Sequence, residues 1–374
     1  MKKRIILSVL IFIIMSPLVS QIDDNNQPVL SISSIRERLE NEVVIEKLVP
    51  FAERAFKPYL ENQWIGKAVS YGCYRKGQAP GAKGPSSEEI FKDLTIISQY
   101  WNLIRVYNAD DDTERILQVI KEKELHIRVI LGIWLVNEDN DPAAKKANIT
   151  NTLRCLELAD KYPHIIAAVN AGNETQVFWS GHKMDSNDLI RYIRVLRLYT
   201  KIPVTTADDY NFWNKEESKT IADEIDFIIT HIYPLWNGKT LDESIPWLDK
   251  TYNEISAFHK SKQVVLGEIG WATIYNPDKK GPGEQGSLIK GAVSLQAQEK
   301  FLIQLDEWIM KNHVTTFLFE AFDEPWKGGG EASGATEIEK NWGVFYEDRT
   351  PKVSFINYLK HKAKTNKQFL KEEK

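Results

Sequence analysis

The chain has 374 residues, 43% of them hydrophobic, with a net charge of -4 and two cysteines. That length supports a large core, as one big domain or two ordinary ones. An acidic balance without a basic stripe argues against a nucleic-acid partner, and two cysteines are too few for a disulfide-stapled scaffold.

Taken in order, the first element is a leader. Met1-Lys2-Lys3-Arg4 is a basic head, followed by an apolar run from Ile5 to Met15 that ends near Pro17 and Ser20. This predicts a secretory signal peptide over residues 1–20 and export to the periplasm or the medium. The run is short for a membrane span and no other stretch approaches one, so the mature protein is expected to have none. Beyond it, Ile35, Leu39, Val43, Val44, Leu48 and Phe51 recur at helical spacing. They predict one or two helices between Ser34 and Phe56, and residues 21–62 read as a helical extension.

From Gly66 the chain alternates short apolar runs with amphipathic segments. The runs predict strands at Ala68 to Tyr74, Leu103 to Tyr107, Ile127 to Ile133, Ile165 to Asn170, Val204 to Asp208, Phe227 to His231, Val264 to Glu268 and Thr315 to Phe319. Helices are predicted between them at Ser87 to Tyr100, Asp112 to Leu125, Pro142 to Tyr162, Ser186 to Thr200, Glu217 to Asp223, Leu241 to His259 and Ser294 to His313, with Val353 to Lys362 as the last. Eight strand–helix units over about 300 residues predict an α/β fold, a (β/α)8 TIM barrel in one catalytic domain over residues 63–362. A charged tail, 363–374, follows. The rival, a doubly wound sheet, would want a GxGxxG loop after its first strand, and Tyr71-Gly72-Cys73-Tyr74-Arg75 opens no such loop. Cys73 falls on a strand and Cys155 on a helix, which favours free thiols over a bridge. Neither has metal-ligand spacing, nor do the histidines form an HExxH pair, so no metal or other cofactor is expected.

Active sites of such barrels lie at the C-terminal strand ends. Those ends are rich in polar and aromatic groups, and two carboxylates stand out. Glu268 closes the buried run Val264-Val265-Leu266-Gly267, where a charge costs several kcal/mol unless it is paired or used. Glu174 closes Val169-Asn170-Ala171-Gly172-Asn173. They sit on strands four and seven, about 14 Å apart at the α-carbons, and inward side chains would close that to about 6 Å. This lies between the separations of retaining and inverting glycosidases. Trp134, Trp179, Trp213, Trp236, Trp271 and Trp326 follow strands and are expected at the barrel mouth, where indole faces suit sugar rings. A carbohydrate chain is therefore the expected partner, and the chain is expected to act as a monomer.

The motifs are also specific. Gly267-Glu268-Ile269-Gly270-Trp271 resembles the nucleophile signature of glycoside hydrolase family 17, and Ala171-Gly172-Asn173-Glu174 resembles its acid/base motif. Phe322-Asp323-Glu324-Pro325-Trp326-Lys327 is similar to the Phe-Asn-Glu-x-x-Lys run after the last strand, with Asp323 in place of the usual Asn. Asn341-Trp342-Gly343-Val344-Phe345 is similar to the segment beyond it. The resemblance implies a retaining β-1,3-glucanase in which Glu174 is the acid/base and Glu268 the nucleophile. It further implies that Glu324 and Lys327 form a supporting pair, that Tyr233 lies near the nucleophile, and that Asn173 binds the sugar 2-hydroxyl. Spacing alone does not tell nucleophile from acid. Tyr71, Arg105, Tyr107, Asn108, Trp134, Asp208, Tyr210, Trp271, Glu320 and Trp326 complete the expected substrate contacts. His231 reads as a satisfied strand-end histidine. A glucanosyltransferase or exo-glucanase on the same scaffold is the alternative, and a non-catalytic glucan-binding barrel is a second; retention of both glutamates weighs against the latter.

Overall fold

The computed structural model describes residues 21–22, 28–29, 31–49, 51–276, 286–327 and 337–372. The leader expected over residues 1–20 lies outside them. Residues up to Val43 form one compact unit and those from Val44 onward another. The first holds a helix, Ile32–Glu40, whose N-cap Ser31 accepts a hydrogen bond from the Ser34 amide. It ends at Glu42, which takes the left-handed φ of 50°.

The helix expected to run on to Phe56 does not form. β-Branched Val43 and Val44 and the prolines at 50 and 58 disfavour it. Instead residues 44–49 and 51–58 form an irregular strap held by arginines. Arg54 donates to the carbonyls of Ile202 and Arg197, and its own amide donates to Asp226. Arg194 and Arg197 donate to the carbonyls of Ile45 and Ala52. The strap delivers Phe56 to the core, where it stacks on Phe227 with ring centroids 4.6 Å apart.

The second unit is a closed parallel barrel of eight strands, each bonded to its sequence neighbours and the last to the first. In chain order they are β1 (Lys67–Ser70), β2 (Leu103–Val106), β3 (Arg128–Ile133), β4 (Ile166–Asn173), β5 (Val204–Asp209), β6 (Ile228–His231), β7 (Val264–Ile269) and β8 (Thr316–Leu318). The expected (β/α)8 barrel is therefore correct. Every strand contributes to the central core: Ala68, Leu103, Ile130, Ala167 with Ala168, Ala207, Ile229, Val265 and Phe317. The four alanines leave room for Phe317 and Phe56, the small-beside-large filling a closed barrel needs.

The outer helices are α1 (Ser87–Ile97), α2 (Asp111–Glu122), α3 (Pro142–Lys161), α4 (Ser186–Tyr199), α5 (Ser218–Ala222), α6 (Leu241–Phe258), α7 (Leu295–Asn312) and α8 (Val353–Glu372). Their starts follow local chemistry. Ser86 and Glu89 form a reciprocal capping box, Asp110 caps α2, and Asp141 precedes a proline at the first turn of α3. α8 runs well past Lys362, so most of the expected tail is helix. Cys73 and Cys155 are free and buried, as expected.

The ladders are irregular at the C-terminal ends of β4 and β7, between Asn170 and Asn173 and between Leu266 and Ile269. Such bulges re-aim side chains. Here they stand at the two glutamates.

Candidate active site

Glu268 leaves β7 through the two glycines that flank it, and both are required by close packing. A Cβ on Gly267 would stand 2.1 Å from Ile229 Cγ2, and one on Gly270 2.1 Å from the Phe319 carbonyl oxygen. Glu268 is 6% exposed. Its Oε1 accepts from Arg105 Nη1 at 2.7 Å and from the Tyr107 hydroxyl at 2.9 Å, and its Oε2 from the Tyr233 hydroxyl at 2.7 Å. Burial opposes a charge here. Arg105 and the two phenols outweigh it and hold the carboxyl below the usual carboxylate range.

Arg105 comes from β2 and is itself fully buried. Its second arm donates to Asn173 Oδ1 at 2.5 Å, so one guanidinium ties β7 to the end of β4.

Glu174 has a different setting. Among the described residues its side chain pairs with His231 alone, whose Nδ1 lies 2.9 Å from Oε1. The other ring nitrogen of His231 is 3.1 Å from Arg105 Nη1. A guanidinium can only donate, so Nε2 accepts, and the proton of the neutral ring sits on Nδ1 and points to Glu174. Burial keeps that ring neutral, pushing its pKa down to about 4. Burial and the charge on Glu268 push Glu174 well above the usual carboxylate range. Two residues of one type are thus driven in opposite directions, with one imidazole between them.

A third group stands at the end of β8. Lys327 Nζ is 2.6 Å from both Glu320 Oε2 and Glu324 Oε2, and the Trp326 indole donates to Glu324. Gly72 permits this, since a Cβ there would stand 1.8 Å from Glu324 Oε1. Next to it, Asp323 accepts from buried Lys352 at 2.8 Å and from the Gly343 amide at 3.0 Å. The departure from Asn is therefore compensated by a buried cation away from the glutamate pair.

These groups open into a cleft of about 1180 Å³. Of the expected residues, Glu174, Glu268, Tyr71, Tyr107, Asn108, Trp134, Asn173, Tyr233, Glu324, Trp326 and Lys327 line it. Tyr71 turns its hydroxyl away to Asp93, at 3.1 Å. Arg105 and Glu320 stand behind the wall rather than in it.

Besides Arg105 and Glu320, three more expected contacts are corrected. Trp271 is 1% exposed, packs on Phe301, and donates its indole N–H to the Ala292 carbonyl, because the chain turns outward toward α7 after β7. Tyr210 belongs to a short helix, Tyr210–Trp213, and spends its hydroxyl on Asn237 at 2.6 Å. Asp208 is fully buried and accepts the backbone amides of Gln176, Val177 and Asp209. Trp213 is likewise not at the mouth, since it lies buried with its N–H on the Ile229 carbonyl. Trp134, Trp179, Trp236 and Trp326 do line the cleft.

Sequence reasoning missed Trp342 and Phe319 in the cleft wall and His231 between the glutamates. Trp342 lies in a motif already noted for resemblance. Nothing local marks a strand-end histidine as shared by two carboxyls.

The sequence profile of the BtgE/BtgC glycoside hydrolase domain matches residues 68–343, nearly the whole barrel. The chain belongs to the BtgE/BtgC glycoside hydrolase family. Among its relatives is the putative glucan endo-1,3-beta-glucosidase btgC of Aspergillus niger, 28% identical over 72% of this chain and 40% of that protein. The chain spans only about two fifths of that relative's length. A glucan 1,3-beta-glucosidase of Arthroderma benhamiae is 25% identical over 78% of this chain and 93% of its own. Among solved structures, the barrel of this family member is similar to an endo-laminarinase from Formosa Hel1_33_131, with a TM-score of 0.63, 22% identity, and 76% of this chain and 85% of that one covered. A family 17 β-1,3-glucanosyltransferase from Rhizomucor miehei gives a TM-score of 0.59 at 22% identity, covering 77% of this chain and 96% of the other. At that identity the two structures speak to the fold alone.

Proposed function

We propose that this BtgE/BtgC family member is a retaining, endo-acting β-1,3-glucan hydrolase of the family 17 type, exported by its leader and active as a monomer. The observation that carries the reading is the split between the two glutamates. Glu268 has three donors, one of them a guanidinium, whereas Glu174 has one neutral N–H and a negative neighbour. Such a pair divides into an ionised nucleophile and a protonated acid.

Glu268 attacks the anomeric carbon while Glu174 gives its proton to the leaving oxygen, and a glycosyl ester forms. Esterification removes the charge that held the proton on Glu174, so its pKa falls and it deprotonates the incoming water. Arg105, Tyr107 and Tyr233 keep Glu268 in place, and the aromatic walls suit the faces of sugar rings. Among the described residues the cleft wall carries six acidic side chains, Asp110, Glu174, Asp209, Glu268, Glu324 and Glu339, against one cation, Lys327. That lining favours a neutral glucan over an anionic one. The names of the A. niger and A. benhamiae relatives point to the same linkage.

A transferase reading draws on Phe178 and Trp179, 74% and 49% exposed on the loop after Glu174 and facing the cleft. Exposed rings there suit an acceptor sugar. Product analysis from laminarin and its oligosaccharides separates the readings: a ladder of short products means endo-hydrolysis, glucose alone means exo-action, and products longer than the supplied oligosaccharide mean transfer. Glu268→Gln should abolish turnover, and persistent activity in that variant would remove the nucleophile assignment. Initial release of the α-anomer, followed by NMR, would overturn retention.

A further inference from the structure

The loop that carries Glu174 is held in an unfavourable backbone conformation. Glu174 has a φ of 53°, and Gly172 just before it has 78°. A left-handed residue with a Cβ costs about 1 to 2 kcal/mol and persists only where its surroundings hold it. β5 supplies that hold. The Glu174 amide donates to the Ala207 carbonyl at 2.8 Å. The next residue, Asp208, accepts Gln176 N on Oδ2 at 2.8 Å, and Val177 N and Asp209 N on Oδ1 at 3.2 and 2.9 Å. Asp208 is fully buried and outside the cleft wall, so it meets neither solvent nor a sugar. The side chain of Gln176 is occupied as well, donating to the Thr175 and Met184 carbonyls.

We propose that Asp208 is a positioning residue for proton donation: by gathering the Gln176 and Val177 amides it holds Glu174 in its left-handed conformation, with its carboxyl on His231 and facing the cleft. Among the described residues Asp208 makes no hydrogen bond to Glu268 or to its donors Arg105, Tyr107 and Tyr233, so its loss weakens delivery of the proton and leaves the nucleophile's own contacts intact. An Asn at 208 has one acceptor oxygen for three amides, and its NH2 faces an N–H. The inference rests on Glu174 being the acid/base.

The test compares kcat/KM, which reports glycosylation, on two substrates with the same sugar. A laminari-oligosaccharide needs its leaving group protonated; a dinitrophenyl β-laminaribioside does not. For Asp208→Asn the expected result is a loss of about tenfold or more on the oligosaccharide and less than about threefold on the aryl glycoside. Asp208→Glu, which keeps the carboxyl group but displaces the oxygens, should behave alike. Glu174→Gln serves as the control and should show the same leaving-group dependence more steeply. Equal losses on both substrates in the Asp208 variants, no loss on either, or failure of both variants to melt cooperatively would overturn the assignment. If Glu174→Gln itself shows no leaving-group dependence, the acid/base reading fails instead.

Discussion

Glu174 and Glu268 differ only in what surrounds them, so the chemistry of the pair is decided by single contacts. Tyr233→Phe removes one of three donors on Glu268. A hydrogen bond to a charged group is worth about 1.5 to 3 kcal/mol. kcat/KM should therefore fall at least about tenfold, and the acidic limb of its pH profile should move to higher pH, because a contact favouring the anion is gone. A limb that stays in place would show that Tyr233 does not tune Glu268. His231 gives a prediction about stability. Burial lowers its pKa from 6.5 unfolded to about 4 folded. The unfolded chain thus takes up this proton first, and the contribution is fully present above pH 6.5 and lost as pH falls toward 4, on the order of 3 kcal/mol. Buried Asp208 and Asp209, whose carboxyls are raised by burial and by Glu174, act in the opposite direction. The comparison to make is therefore urea unfolding of wild type against His231→Gln across that range, and an equal loss in both would refute the assignment. Glu268 was legible in the sequence because a buried strand ending in a charge is costly. The role of His231 was not, because it depends on Arg105 from β2 and Glu174 from β4, far away in the chain.

At the scale of elements, starts and strands were legible and the N-terminal strap was not. Ser86 with Glu89, and Asp141 before Pro142, are local signals read by the first turn alone. Residues 44–56 carry apolar groups at helical intervals, yet the intervals serve a strap whose arginine clamps lie on α4 and whose Phe56 fills the barrel core. Phe56→Ala should cost about 3 to 5 kcal/mol, the usual range for a buried aromatic, while kcat/KM stays near wild type. Denaturant titration with parallel assays checks this, and a stability change below about 1 kcal/mol would show that the strap is not part of the core.

The whole molecule is divided by that strap rather than by the start of the first barrel strand. A protein beginning at residue 44 should fold cooperatively and keep its activity, whereas one beginning at 63, which lacks Arg54 and Phe56, should lose cooperative melting. A stable, active protein from residue 63 would restore the boundary expected from sequence. By itself the sequence determined the eightfold alternation, the strands that carry the two glutamates and the glycoside hydrolase class, because periodicity and short motifs are local and survive reading in one dimension. Only the tertiary structure decided which strand-end side chains face the cleft. Register shifts at Asn170–Asn173 and Leu266–Ile269 fall beside Glu174 and Glu268, both of which line the cleft. Asp208 and Trp271 satisfy backbone groups elsewhere, and closure of the barrel brings Arg105 and His231 to the carboxylates they tune.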